Sequence, residues 1–402
     1  MRYFLIIIVV LMLSITACQD ITSPAQPVDK VKIGVLFPLS GSLADTGKNN
    51  KNGVVLAAEE INATGGIASL DGAELELIIG DTQGIPDIGI QEVRRLVEQE
   101  NVSLIIGAYQ SSVTRPAVQT AEQLKTPFVV SMAIADAITE QGFQYVFRVC
   151  PKAQFYARDQ VLFLKDLATL ADYDVKRVVL LYENTDFGTS TTLAQRQALQ
   201  EHGMEVVGEF PYVAEGLTDL SHEMAEIKAI APDAILTATY HQDSVLIAKT
   251  LVEFEITIPV IDAAGGTIEP EYIAKLGSLA EGMLTALEFS KHAANSADLN
   301  SNYHARFDED ITANGAYAYQ ATYLIKDALQ RAGTTDREQL RQALHETNIT
   351  DQEFFVLPME QINFDEHGQN NNARLFIAQI QNGELVPVWP SEFAVSSVWI
   401  QK

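Results

Sequence analysis

The sequence predicts an α/β protein made of two doubly wound parallel-sheet lobes. Three observations lead there. Short, continuous apolar runs alternate with segments of helical period, and this alternation is played through once in each half of the chain. Gly and Pro stand where helices should stop and strands begin. A strand apolar along its whole length is buried on both faces, which is the condition of a parallel sheet covered by helices on either side.

The elements follow in order. The first half gives a strand in VKIGVLFP, a helix through NGVVLAAEEINATGG, a strand in AELELIIGDT and a helix around IQEVRRLVEQE. It continues with VSLIIGAYQSS, a helix around RPAVQTAEQL, and TPFVVSMAIAD. The second half repeats the plan with VKRVVLLYENTDFG, LAQRQALQEHG, MEVVGEFPYV, SHEMAEIKAIAP, DAILTATYHQDS, VLIAKTLVEF and IPVIDAAGGT. Gly65-Gly66 and Gly203 end corresponding helices, while Pro127 and Pro259 open the strands that follow. From about Gly282 come a strand in GMLTALEFS, helices through GAYAYQATYLIKDALQRAG and DREQLRQALHET, and late strands in RLFIAQIQ and PVWP. These pieces must complete sheets already begun, so the chain crosses repeatedly between lobes and leaves a cleft there.

Composition narrows the function. The 402 residues suffice for two domains with substantial cores. Against 27 Lys and Arg stand 53 Asp and Glu, a net charge of −26, which repels a phosphate backbone and argues against nucleic acid. The N-terminus MRYFLIIIVVLMLSITACQD places Arg2 before an apolar run of about 11 residues, too short for a membrane span of ~20. Residues 1–17 therefore read as a signal peptide. Ile15-Thr16-Ala17-Cys18 resembles a bacterial lipobox, with Cys18 lipidated and residues 18–30 as an extended tether. The expected location is extracytoplasmic, with the membrane touched through the lipid only. Cys150 is the other cysteine, so neither a disulfide nor a cysteine metal site is expected.

Catalytic patterns are missing. The stretch GSLADTGKN from Gly41 to Asn49 departs twice from a phosphate-binding loop: five residues separate its glycines, and Asn49 replaces the hydroxyl. There is no G-x-S-x-G, H-E-x-x-H or G-x-G-x-x-G, and the histidines (202, 222, 241, 292, 304, 345, 367) are scattered. No catalytic residue, cofactor or metal is expected.

Ligands of open parallel sheets bind beyond the carboxyl ends of the strands. Those exits hold Ser42, Tyr109, Ser111, the run Ala133-Ile134-Ala135, Asp186-Phe187, Tyr240, Asp243 and Ala264. Ser111-Ser112-Val113-Thr114-Arg115-Pro116 reads as a helix start with hydroxyl caps, whose free amides either hold a carboxylate or are simply capped. Tyr109 either walls the site or packs. Asp186 and Asp243 either meet a cation or sit solvated in loops. The two first-strand exits, GSLADTGKN and YENTDFGTS, should face each other, with Ser40, Ser42, Asp45 and Thr46 forming a rim that touches a ligand or the closing lobe.

Several stretches then carry a family resemblance: VKIGVLFPLSGSLADTGKNNKNGVVLAAEEINATGGI, IIGAYQSSVTRPAVQTAEQLKTPFVVS, AITEQGFQYVFRV, VVLLYENTDFGTS, DAILTATYHQDS, AEGML and INFDEHG. In that order, over Val31 to Gln381, the chain resembles the type I extracytoplasmic solute-binding proteins of ABC importers, in the branched-chain amino acid (Leu/Ile/Val-binding) group. The resemblance implies three hinge crossings, placed near Phe147–Pro151, Leu284–Phe289 and Met359–Phe364. It divides the chain into an N-terminal lobe (31–148 plus 287–360) and a C-terminal lobe (149–286 plus 361–402). Ligand closes the lobes, and ABC permease subunits recognise the closed form. Ser111 matches the hydroxyl-plus-amide anchor of a ligand carboxylate. Ala133 to Ala135 match a gripping segment in which a hydroxyl stands where this chain has Ala135. Phe187 and Tyr240 match aromatic walls. Ala264 falls where amino-acid binders place the Glu that neutralises the ammonium. Another anion (Asp243, Asp262, Asp186 or Asp136) must then serve, or the ligand is not an α-amino acid. The expected function is a substrate-binding lipoprotein that captures a small polar solute, an amino acid or related carboxylate or amide, and delivers it to the permease. The alternatives are a ligand-sensing receptor of the same fold and, more remotely, an exported hydrolase with Ser111 as nucleophile and His241 as base.

Overall fold

The computed structural model describes residues 29–291 and 296–401; the signal segment, Cys18, most of the tether and His292 lie outside the described residues. The first sheet takes β1 (Lys30–Phe37), β2 (Glu74–Asp81), β3 (Leu104–Gly107), β4 (Phe128–Val130) and β5 (Val146–Arg148) in the order β2-β1-β3-β4-β5, every neighbour parallel. The second takes β6 (Arg177–Glu183), β7 (Glu205–Tyr212), β8 (Ala234–Ala238), β9 (Val260–Asp262) and β10 (Leu284–Leu287). β11 (Asn348–Ile349) and β12 (Ile362–Asn363) form a separate antiparallel pair. β13 (Phe376–Gln381) and β14 (Glu384–Trp389) then return to the second sheet, whose order is β14-β13-β10-β9-β8-β6-β7. β13 runs antiparallel to both β10 and β14. The late strands thus complete a sheet already begun, as a hairpin on its edge.

Helices cover both sheets. The first half carries α1 (Ala44–Ala63), α2 (Pro86–Arg94) and α3 (Ser111–Gln123); the second carries α4 (Ala153–Leu170), α5 (Asp186–Glu201), α6 (Ser221–Ile230), α7 (His241–Glu253) and α8 (Pro270–Leu276). Of α9 (Ala297–Phe307), α10 (Ala313–Ala332) and α11 (Arg337–His345), α10 packs along α1 on the first lobe. The two helices approach closely because Gly53 faces Gly315: a Cβ on Gly53 would stand 2.1 Å from the Gly315 carbonyl. Asn49 fixes the start of α10, its Oδ1 accepting from Thr312 N, Thr312 Oγ1 and Gly315 N at 2.8–3.2 Å. The central strands are buried: β3, β4, β8 and β10 are buried at every residue, with Thr237 and Thr285 the polar exceptions in otherwise apolar runs.

Three segments link the lobes. The first leaves β5 for α4, the second leaves β10 at Glu288, and the third runs from the end of β12 to β13. The third comes later than Met359–Phe364, because Ile362 and Asn363 still pair with β11 and Gln369 bridges to Arg148. The first and third segments lie side by side: Arg148 N donates to Gly368 O at 2.7 Å, and Asn370 N donates to Arg148 O at 3.0 Å.

Arg148 itself is fully buried, at 0 % exposure. Its Nη1 donates to Ala133 O (3.1 Å) and Ala135 O (2.7 Å), its Nη2 to Thr139 Oγ1 (2.9 Å), and its Nε to Gln369 Oε1 (2.6 Å). All are neutral acceptors. Removing the guanidinium strands four buried oxygens, so Arg148→Ala should lower unfolding free energy by about 3 kcal/mol or more. Arg148→Lys should rescue little, since one ammonium cannot span acceptors on three segments. Urea denaturation of both variants checks this; a loss below ~1 kcal/mol for Arg148→Ala would contradict it.

Candidate functional site

A small cavity of about 30 Å³ lies between the lobes, at the carboxyl ends of strands from both sheets. The first lobe contributes Tyr109 from the exit of β3, Ser111 from the start of α3, and Met132, Ala133 and Ile134 from the exit of β4. The second contributes Phe187 from α5, Tyr240 from the exit of β8, and Ala263 to Gly265 from the exit of β9. Tyr156, one turn into α4 beyond the first crossing, completes the lining.

Aromatic rings meet across the cleft. The Tyr240 ring lies 6.0 Å from that of Tyr109 and 5.2 Å from that of Phe187, both tilted. Two lining residues sit in the left-handed region, Tyr109 at φ +83° and Ala264 at φ +55°. A non-glycine residue there carries a local cost of ~1–2 kcal/mol, so the surrounding contacts fix these conformations. The β9 exit lies flat on the β8 exit: a Cβ on Gly265 would stand 1.6 Å from Thr239 O, which only glycine avoids.

Ser111 is the first helical residue of α3, not its cap. Gln110 holds the cap position without a side-chain bond, and the Ser111 hydroxyl turns instead to accept from Ala135 N at 3.2 Å. The hydroxyl-capped start expected from the sequence is corrected in that detail. The backbone bonds of the turn begin at Val113 N and Thr114 N, which leaves the Ser111 and Ser112 amides without a helical carbonyl to meet. The positive end of α3 therefore faces the cavity beside Ser111. The Tyr156 hydroxyl is buried with no partner in the structure, as is Ser131 Oγ just before the lining run.

The remaining candidates stand outside the lining. Ser42 is exposed on the β1 exit. Ala135 is buried behind Ala133 and Ile134, its carbonyl held by Arg148 and its amide by Ser111. Asp186 pairs with Arg115 of the other lobe, Oδ2 to Nε at 2.7 Å. Asp243 is buried, accepting from Tyr212 OH at 2.5 Å and Tyr240 N at 3.1 Å; burial pushes its carboxyl up to about 7. Asp262 accepts from the hydroxyls of Thr237, Thr239 and Thr267 at 2.8–3.0 Å. Asp136 accepts from Gln154 N at 3.3 Å, and its own amide donates to Ser190 Oγ on the second lobe at 3.0 Å. Each carboxylate named as a stand-in for the missing Glu is thus engaged elsewhere, and none lines the cavity.

The structure adds residues that sequence reasoning passed over. Tyr156 sits on a helix, where no strand-exit rule points. Glu183, at the end of β6, is buried with Oε1 accepting from Thr185 Oγ1 and Gly188 N while Oε2 has no partner. Glu288, where the second crossing leaves β10, is fully buried with neither oxygen bonded, and burial lifts its carboxyl to about 8. Among the described residues no group of three or more His, Cys, Asp or Glu is disposed to hold a metal ion. No described helix is long and apolar enough to cross a membrane.

Residues 30–384 match the profile of the periplasmic binding protein family. The Leu/Ile/Val-binding protein homolog 7 of Brucella abortus (strain 2308) is 30% identical over 401 residues, spanning 96% of this chain and 97% of its own. The chain belongs to the periplasmic binding protein family, with relatives in its Leu/Ile/Val-binding group of ABC-transporter solute-binding proteins. Its fold is that of LivJ, the branched-chain amino acid transporter substrate-binding protein of Streptococcus pneumoniae solved with isoleucine (TM-score 0.77, 24% identity, 89% of this chain and 97% of that one). It is equally similar to a solute-binding protein of an ABC transporter from Rhodopseudomonas palustris BisB5, solved with 3,4-dihydroxybenzoic acid (TM-score 0.75, 21% identity, 89% and 95%).

Glu288 yields a stability prediction. A carboxyl near 4.5 when unfolded and about 8 when buried stabilises the fold fully below pH 4.5 and loses that contribution as pH rises toward 8. Glu288→Gln cannot ionise, so its Tm should fall by fewer degrees between pH 5 and pH 9 than that of the parent. Parallel Tm–pH curves for the two proteins would refute it.

Proposed function

We propose that the chain is the lipid-anchored, extracytoplasmic substrate receptor of an ABC importer, and that its solute is a small carboxylate with an apolar or aromatic body and no free α-ammonium. One observation carries the ligand class: the interlobe cavity joins a helix N-terminus at Ser111 to aromatic walls, and no carboxylate lines it. The solute's carboxylate would lie against the Ser111 and Ser112 amides, favoured by the dipole of α3. Its body would lie among Tyr109, Phe187, Tyr240 and Tyr156, whose rings must part to admit it, since the space between them is about 30 Å³. An ammonium group in the same space would have no counter-ion, and burying it unpaired costs several kcal/mol.

The mechanism is closure. The solute touches both lobes, so it shifts the open–closed equilibrium toward the closed form that permease subunits take up. Membership of a solute-binding family and the engaged state of Ser111 also argue against hydrolysis: its Oγ accepts from a backbone amide, and His241 Nε2 lies 2.7 Å from Lys275 Nζ. The two glycines of GSLADTGKN have a conformational use, since Gly41 adopts φ +83° and a Cβ on Gly47 would stand 1.8 Å from Pro38 O.

Thermal-shift screening tests the ligand class. At 100 times the dissociation constant a true solute adds ~2.7 kcal/mol of stability. Benzoate, 3,4-dihydroxybenzoate and isovalerate are the probes, with leucine and isoleucine as the contrast. The expected outcome is a shift with at least one simple carboxylate and none with the amino acids; a larger shift with leucine overturns the reading. Ser111→Ala should weaken the best carboxylate about tenfold through loss of the hydroxyl that organises the anchor.

A further inference from the structure

Glu269 follows β9 on the second lobe and is only 4 % exposed, yet it does not line the cavity. Its Oε1 accepts from Thr46 Oγ1 of α1 at 2.8 Å and from Asn314 Nδ2 at the start of α10 at 3.1 Å. Both donors belong to the first lobe. Separating the lobes would remove both bonds and hand the carboxyl to water. Both donors converge on one oxygen, so a proton on Oε2 leaves the two bonds intact while cancelling the charge.

We propose that Glu269 is a positioning residue for closure, an interlobe latch that engages best with its carboxyl protonated, so that the closed form gains a proton on forming. The proposal rests on the closing-receptor reading above, though not on the identity of the solute.

The surroundings favour the neutral form. α1 presents Asp45 and Lys48, and Lys48 is matched by Glu309 at 2.9 Å. α8 presents Glu271, and the neighbouring crevice adds Asp310 and His304. Tyr109 and Tyr303 face the carboxyl as neutral hydroxyls. Burial, outweighing the Thr46 and Asn314 hydrogen bonds that favour the charged form and joined by the negative charges of Glu271 and Asp45, lifts Glu269 to about 7 when the lobes are closed. The other groups that titrate nearby hold partners within their own lobe: His241 meets Lys275, His304 meets Asp310, and Asp243 meets Tyr212. Glu269 is the one among these whose partners lie across the cleft.

The sign follows. The carboxyl is near 4.5 in water and about 7 in the closed form, so closure takes up a proton between those values and weakens as pH rises through 7. Between pH 8 and pH 6 the closed-to-open ratio should rise about tenfold. Single-molecule fluorescence transfer tests this without any solute, with dyes at Ile85→Cys and Leu193→Cys, one exposed position per lobe, in a Cys18→Ser background; Cys150 is fully buried. The parent should show the rise in closed fraction on acidification. Glu269→Gln keeps a neutral acceptor and never has to take up a proton, so at pH 8 it should be at least as closed as the parent is at pH 6, with no pH dependence. Glu269→Ala and Thr46→Val should be less closed than the parent at pH 6. A parent closed fraction unchanged by pH, or Glu269→Gln behaving like Glu269→Ala, overturns the proposal. Since no solute is present, a wrong ligand class would leave this result standing, and failure here would leave the ligand class untouched.

Discussion

The buried guanidinium of Arg148 is the constraint on which the site's geometry depends. It reaches the loop after β4 through Ala133 O and Ala135 O, its own segment's neighbour through Thr139, and the third crossing through Gln369. Desolvation lowers its affinity for a proton relative to water, but a guanidinium remains charged, so each of these bonds is charge-assisted. One consequence concerns the ligand end of the site. Ala135 N, which the Ser111 hydroxyl accepts, belongs to the loop that Arg148 holds, so the start of α3 and the β4 exit are fixed relative to each other. A second concerns the crossings. Gln369 also donates to Cys150 O, and Asn370 Nδ2 to Val149 O, so two of the three crossings are stitched together side by side.

Against that rigid pivot, the contacts that hold the lobes together are few and individually weak. Arg115–Asp186 is nearly half-exposed on the Arg side and contributes up to ~1 kcal/mol in solution. The Asp136–Ser190 and Thr46–Glu269–Asn314 hydrogen bonds each add about 1 kcal/mol, less the desolvation of a carboxyl. Together with the Tyr109–Tyr240 ring contact they amount to a few kcal/mol, a gap that a tightly bound solute can outweigh. That balance is what a receptor requires, because a solute can shift an equilibrium only by its differential affinity for the two states.

Much of this was legible in the sequence. Continuous apolar runs forecast the parallel sheets, and the strand-exit rule brought Tyr109, Ser111, Ala133, Ile134, Phe187, Tyr240 and Ala264 to one cavity from seven scattered positions. The rule works because sheet topology, which periodicity reports, decides which loops converge. It says nothing of what a side chain does once there. Asp186, Asp243 and Asp262 read as loop carboxylates open to a ligand, but a neighbouring Arg, a Tyr and a set of Thr claim them, and those partners are local details of packing. Tyr156 and Arg148 escaped notice for the opposite reason. A Tyr inside a helix and an Arg ending a strand are unremarkable in one dimension, and acquire meaning only where the crossings bring segments about 200 residues apart side by side. The third crossing was misplaced for the same cause, since the two-residue ladder that delays it, Ile362-Asn363 with Asn348-Ile349, leaves no periodic signal in the sequence.

The same structural detail bears on why position 264 can do without a carboxylate. Ala264 holds φ +55°, pinned because Gly265 beside it must lie against Thr239 O. Ala264 already carries the left-handed strain, so what a longer acidic side chain there would add is the burial of its own charge near Asp262 and Asp243. The wall behind the cavity is already crowded with carboxyls, and burial raises Asp243, Asp262 and Glu183 toward neutrality. Such a wall is a poor place for one more anion, so the proposed solute's carboxylate belongs at the other end of the cavity. The opposite end of the cavity offers what it needs, two free amides at the positive end of a 13-residue helix. The cavity is therefore uneven in its polarity, with free amides at the start of α3 on the first lobe and the rings of Tyr109, Phe187, Tyr240 and Tyr156 around the rest. A carboxylate bound at Ser111 with an apolar body toward Tyr240 and Phe187 satisfies that polarity without any further charge.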